Sequence, residues 1–88
     1  MSAKDKITRV SARIHGDEYI IRGNAEAQHI EKVAQYVDLK MNQLTLSNRY
    51  LPPKKIAVLA AVNVADELFR LQEDYEALIK LLDEDKKG

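Results

Sequence analysis

The stretch IAVLAAVNVADELFRLQEDYEALIKLL, residues 56–82, decides the fold. Within it Ala57, Ala61, Val64, Leu68, Leu71, Tyr75, Leu78 and Leu82 recur at alternating steps of four and three. That rhythm lays one narrow apolar stripe along one side of a helix. An isolated helix has nothing to bury such a stripe against, so the stripe predicts a partner helix, and a second copy of the chain supplies it. The intramolecular alternative folds an upstream helix back along the stripe. Such a helix is too short to reach Leu71, Tyr75, Leu78 and Leu82, which would remain an exposed apolar patch. A second apolar set, Ile56, Val58, Leu59, Val62, Ala65 and Phe69, occupies other faces of the front half. The front half is therefore expected inside a head, and the back half as a projecting coiled coil.

Upstream stands Tyr50-Leu51-Pro52-Pro53. A proline cannot continue a helix, and it drives the residue before it to extended geometry. Pro53 also suits the first turn of a new helix. Before this break, Ile30, Val33, Ala34, Val37, Met41 and Leu44 share one helical face, ending near residues 46–48. Asn24 offers an N-cap for that helix, and Glu26 an acid in its first turn. Further upstream, Val10, Ala12 and Ile14 alternate with Ser11 and Arg13, as a half-buried strand requires. His15-Gly16-Asp17-Glu18 is turn chemistry, and Tyr19-Ile20-Ile21-Arg22 is a second strand. A lone two-stranded hairpin is marginal in water, so the helix is expected to cover it. The fold class is α+β: an N-terminal β-hairpin packed on a helix, followed by a long C-terminal coiled-coil helix. Its parts are a flexible tail (1–6), a globular head (7–51), the long helix (52–85) and a disordered end (86–88).

Eighty-eight residues make one domain, small enough that association with further copies is a common way to complete a core. Lysine plus arginine and aspartate plus glutamate stand at 14 each, so no overall field draws the chain to nucleic acid or to an anionic membrane. No cysteine is present, which excludes disulfides and thiolate metal sites. No apolar segment approaches a membrane span, and the N-terminus lacks the apolar core of a signal peptide. These features fit a cytoplasmic protein, and no membrane insertion is expected. His15 and His29 lack a matched third ligand, so no zinc site is expected. Asn63-x-x-Asp66-Glu67 has no histidine or cysteine beside it, and Asn63 reads as a register or capping residue. No serine or threonine has a histidine and carboxylate arranged around it, and no phosphate-binding glycine loop occurs. The chain is read as a non-enzyme without cofactor or metal.

Three patches resemble the ZapA family of bacterial cell-division proteins. They are Val10-x-Ala12-x-Ile14-x-Gly16-x-x-Tyr19-x-Ile21, then Val33-Ala34-x-x-Val37-Asp38-x-Lys40-Met41, and the most specific, the unbroken run from Ile56 to Leu68. The likeness covers nearly the whole chain after Ile7, at the length of the shorter family members. It implies a cytoplasmic regulator at the mid-cell division ring that binds FtsZ and promotes bundling of its filaments. It also implies a homodimer through the head and long helix, and a homotetramer formed by two dimers in antiparallel association. Basic head residues are implied in the FtsZ contact, and an ungapped match places one at Arg49. Some members carry a basic residue directly after the hairpin glycine. Here that residue is Asp17, so this contact does not carry over.

Arg49, Lys54 and Lys55 bracket the proline break, and loops between rigid elements often carry binding residues. With Arg13 and Lys40 they form the candidate FtsZ-binding set; the bland alternative for each is an ordinary solvated surface. FtsZ-type filaments are acidic as a family, which such a patch would complement. The candidate assembly residues are Ala61, Val64, Leu68, Leu71, Tyr75, Leu78 and Leu82. Two other functions fit the same elements: a generic coiled-coil adaptor with an unrelated partner, and a small DNA-binding dimer. The second is disfavoured because the long helix is apolar where a recognition helix needs exposed polar readers.

Overall fold

The computed structural model describes residues 7–87. Strand β1 (Thr8–Ile14) and strand β2 (Asp17–Gly23) form an antiparallel hairpin, followed by helix α1 (Ala27–Ser47) and helix α2 (Pro53–Lys87). Opposite pairs run from Thr8–Gly23 to Ile14–Asp17, so the connection is the two residues His15 and Gly16. Both have positive φ, 51° and 87°, as the tight turn that matches strand twist requires. Asp17 and Glu18, expected in the turn, belong instead to β2. Once the turn uses positive φ at both central residues, two residues suffice to reverse the chain.

A histidine in left-handed geometry needs support, and α1 provides it. The His15 backbone N–H donates to Asp38 Oδ1 at 2.8 Å. The His15 Nε2 lies 2.9 Å from Thr45 Oγ1. Thr45 already donates its only hydroxyl proton to the Met41 carbonyl at 2.8 Å, so Nε2 carries the hydrogen and donates. The turn is thus fastened to α1 by two hydrogen bonds as well as by packing.

The inner hairpin face packs on α1 through β1, and Val10 of β1 and Ile30 and Ala34 of α1 are buried. Helix α1 does not start at Asn24. The first carbonyl of the helix is that of Glu26, accepting from His29 at 3.0 Å and Ile30 at 3.1 Å, and no side chain caps this end. Packing decides the start: Ile30 Cδ1 lies 3.5 Å from where a Cβ on Gly23 would sit. Two more residues of bend at Asn24 and Ala25 bring Ile30 there, and burial outweighs one cap.

At the other end Asn48 Nδ2 donates to the Leu44 carbonyl at 2.9 Å, closing α1. After one turn, the Pro52 carbonyl accepts from Lys55 and Ile56 and opens α2, with Pro53 first in the helix. The second core layer is Met41, Ile56 and Ala60, ringed by Ile14, Val37, Leu44 and Leu51. Ile56 is fully buried.

Two further expectations change. The front half of α2 is not enclosed within one chain: besides Ile56 and Ala60 only Leu59, Val64 and Glu67 are half-buried, while Val58, Val62, Ala65 and Phe69 are exposed. Among the described residues the main neighbour of α2 is α1, with Ile14 of β1 beside it, and this cover reaches one stripe. Helix α2 also runs through residues 86 and 87, part of the end expected to be disordered. Residues 1–6, read as a flexible tail, and residue 88 lie outside the described residues. At 35 residues α2 spans ~52 Å. The radius of gyration, 17.9 Å, well exceeds the ~12 Å of a compact domain of this length.

Candidate functional site

The basic residues singled out in the sequence fall in three places. Arg49, Lys54 and Lys55 are exposed at the corner between α1 and α2. Tyr50, almost wholly exposed beside Arg49, belongs to the same corner and carried no signal in the sequence beyond its place before the prolines. Lys54 and Lys55 flank a shallow apolar groove of about 430 Å³ floored by Leu51, Val58 and Leu59. Lys54 also borders a second groove of about 530 Å³, where Tyr19, Ile21 and Asp17 of β2 approach Pro53 and Ala57. The corner therefore combines two cations with apolar floors, a combination that suits an acidic protein surface.

Arg13 is elsewhere, on the hairpin face turned away from α1, directly opposite Glu18. Lys40 is not a free surface cation. Its Nζ pairs with Glu67 Oε2 of α2 and lies 5.4 Å from the Tyr36 ring centroid. Tyr36 Oη donates to the other Glu67 oxygen. Tyr36 and Lys40 stand one helical turn apart on α1 and hold one carboxylate of α2 between them. The Lys40 ammonium, and then the Tyr36 hydroxyl, hold the Glu67 carboxyl below its ordinary value. Glu67 in turn raises Lys40 and, through the hydrogen bond it accepts, raises Tyr36. This cluster locks α1 against α2.

The assembly stripe is open. Ala61, Leu68, Leu71, Tyr75, Leu78 and Leu82 are exposed and Val64 is half-buried. Ile79 and Leu81, which the four-three rhythm does not include, flank Leu78 and Leu82 and are exposed as well. They widen the apolar face at the far end beyond a strict two-residue seam, and a wide face suits more than two helices. A second exposed set lies on the head: Val33, Leu39, Val58, Val62 and Phe69 are each at least half exposed. Among the described residues no cluster of three His, Asp or Glu side chains could hold a metal ion. None of the described helices is long and apolar enough to cross a membrane.

Comparison with known proteins gives one answer throughout. Residues 10–86 match the family model described as "Cell division protein ZapA". A cell division protein ZapA of Geobacillus thermodenitrificans is 44% identical over 81 residues, covering 92% of this chain and 89% of that one. One from Shouchella clausii is 38% identical over 76 residues, covering 86% of this chain and 97% of that one. Among solved structures, a ZapA mutant dimer from Geobacillus stearothermophilus superposes with a TM-score of 0.71 at 38% identity, covering 94% of this chain and 96% of that one.

Proposed function

Because this chain belongs to the ZapA family of cell-division proteins, we propose that it binds FtsZ and bundles its filaments at the mid-cell division ring. It acts in the cytoplasm as a non-enzymatic cross-linker. The observation that carries this reading is the run of exposed apolar residues along α2, from Ala61 to Leu82. A chain of this size gains by covering such a face, and its own head cannot reach the far end. The head faces of Val33, Leu39, Val58, Val62 and Phe69 support a homodimer, and the wider far end supports its pairing into a homotetramer. Heads then stand at both ends of a rod, and two modest contacts on separate filaments become strong together through effective concentration. With few apolar layers beyond the head, the tetramer dissociates on dilution.

The filament contact is assigned to the corner, with Arg49, Lys54 and Lys55 as its cations. Lys40 serves it indirectly by holding the two helices that form the corner. The test is sedimentation of FtsZ polymers with and without the protein, beside a gel shift on random DNA. The expected result is added FtsZ in the pellet and no shift at physiological salt. Reversing the charges of Arg49, Lys54 and Lys55 together abolishes the added pellet without changing oligomeric mass. DNA binding with no effect on FtsZ sedimentation refutes the reading.

A further inference from the structure

The hairpin face turned away from α1 is arranged against the interest of its own sheet. In the observed register Arg9 stands directly opposite Arg22, Ser11 opposite Ile20, and Arg13 opposite Glu18. These six side chains share one face, and all are exposed. Like charges directly opposite each other destabilise a strand pair. Among the described residues the ion pairs are Lys40–Glu67 and Arg70–Asp66, so none of the three arginines is paired. Ile20, an isoleucine 71% exposed, sits at the centre of the face. Among the described residues the one carboxylate on this face is Glu18, and it accepts a hydrogen bond from the Ser11 hydroxyl at 3.2 Å. Arginine on an exposed strand also discourages edge-to-edge aggregation, but that role does not require two of them facing each other.

We infer that this outer hairpin face, with Arg9, Arg13 and Arg22 around Ile20, is a second docking surface for an acidic protein. The chemistry favours protein over polyanion. A guanidinium takes a carboxylate in a two-pronged hydrogen bond, and Ile20 gives the centre of the patch an apolar contact to cover. A phosphate backbone would leave Ile20 without a partner, and a phosphate backbone or an anionic lipid surface would meet the Glu18 carboxylate. The inference rests on the filament reading above and extends it: each head touches the acidic filament with the hairpin face as well as the helix corner.

The experiment uses the full chain with two variants, Arg9→Gln/Arg22→Gln and Ile20→Thr, titrated against polymerised FtsZ in a pelleting assay. The double variant is expected to weaken binding by ~10-fold or more, as loss of close charge contacts does, and Ile20→Thr by several-fold. Removing the facing arginines relieves a repulsion, so the thermal midpoint of the double variant equals or exceeds that of the parent. Falling affinity with rising stability separates a binding role from a structural one. Wild-type pelleting matched by both variants overturns this surface and leaves the filament reading standing. No pelleting by the wild type overturns the filament reading and this inference with it. A lowered midpoint in the double variant, a change in its oligomeric mass, or a variant-sensitive affinity for phosphatidylglycerol vesicles or DNA each overturns the inference, by assigning the arginines to the fold, to a second copy, or to a polyanion.

Discussion

Replacing Leu71 and Leu78 by alanine tests the assembly stripe with little disturbance to the helix, since alanine is the best helix former. In the single chain Leu71 is 67% exposed and Leu78 54%, so more than half of each side chain remains to be buried by a partner. Truncation removes three carbons, worth ~2.4 kcal/mol at full burial. Scaled to the area still available, each leucine contributes ~1.5 kcal/mol to the seam. A pair of contacting helices loses four such side chains, or ~6 kcal/mol, and ~1.4 kcal/mol is a factor of ten. Allowing for partial exposure at a seam, the dissociation constant of the rod contact should rise ~1,000-fold or more. Sedimentation equilibrium over a range of concentrations reads this directly, with circular dichroism confirming unchanged helix content. The tetramer should fall to the dimer held by the heads. A double variant with the same mass and the same concentration dependence as the parent would refute the seam and, with it, the separation of two heads by a rod.

Three other outcomes follow from the head. Ile56→Ala truncates a fully buried large side chain and should cost ~2–5 kcal/mol, read as a lower urea midpoint at fixed protein concentration with unchanged slope; a loss below ~1 kcal/mol would mean that the Met41–Ala60 layer collapses freely. Asp38→Ala deprives the His15 N–H of its charged acceptor and should cost ~1–3 kcal/mol, with amide exchange quickened at His15 and Gly16 rather than through α2; uniform quickening would show that the turn is not separately fastened. The Tyr36–Lys40–Glu67 cluster also sets a pH window. Glu67 is lowered from 4.5, so its contribution is complete above that value and is lost as pH falls through the lower folded pKa. Lys40 is raised from 10.5, so its contribution is complete below that value and is lost as pH rises through the higher folded pKa. Tyr36, raised from 10.0, adds to the alkaline loss because the unfolded chain ionises first. Glu67→Gln should flatten part of the acid limb of thermal midpoint against pH, by a small step because the group lies near the surface; an identical acid limb would remove the carboxylate from the lock.

The alternation of Val10, Ala12 and Ile14, the two prolines and the four-three rhythm all survive into the fold because each is a local or periodic signal. What the sequence concealed depends on contacts between distant residues. Asn24 has the chemistry of a cap, but the fit of Ile30 against Gly23 moves the helix start past it. Tyr36 and Lys40 are legible as neighbours on one helical face, yet nothing in their spacing names Glu67, about thirty positions on, as their acceptor. The opposition of Arg9 and Arg22 exists only once the register is known. Because Val58, Val62 and Phe69 are apolar, the sequence predicts an enclosed front half of α2. Apolarity gives the need for cover, not the chain that supplies it, and one chain leaves these residues open.

Helix α2 begins inside the head at Pro53 and continues without interruption along the stripe to Lys87. Head and seam therefore share a rotational phase. Inserting one residue between Leu68 and Leu71 would turn the far stripe by ~100° relative to Ile56 and Ala60, and the heads would be presented on the wrong side of the bundle. Inserting seven would return the stripe to within ~20° and move each head ~10 Å from the seam, setting heads at opposite ends ~20 Å farther apart. A spacer of this construction can be lengthened only in quanta of about two helical turns.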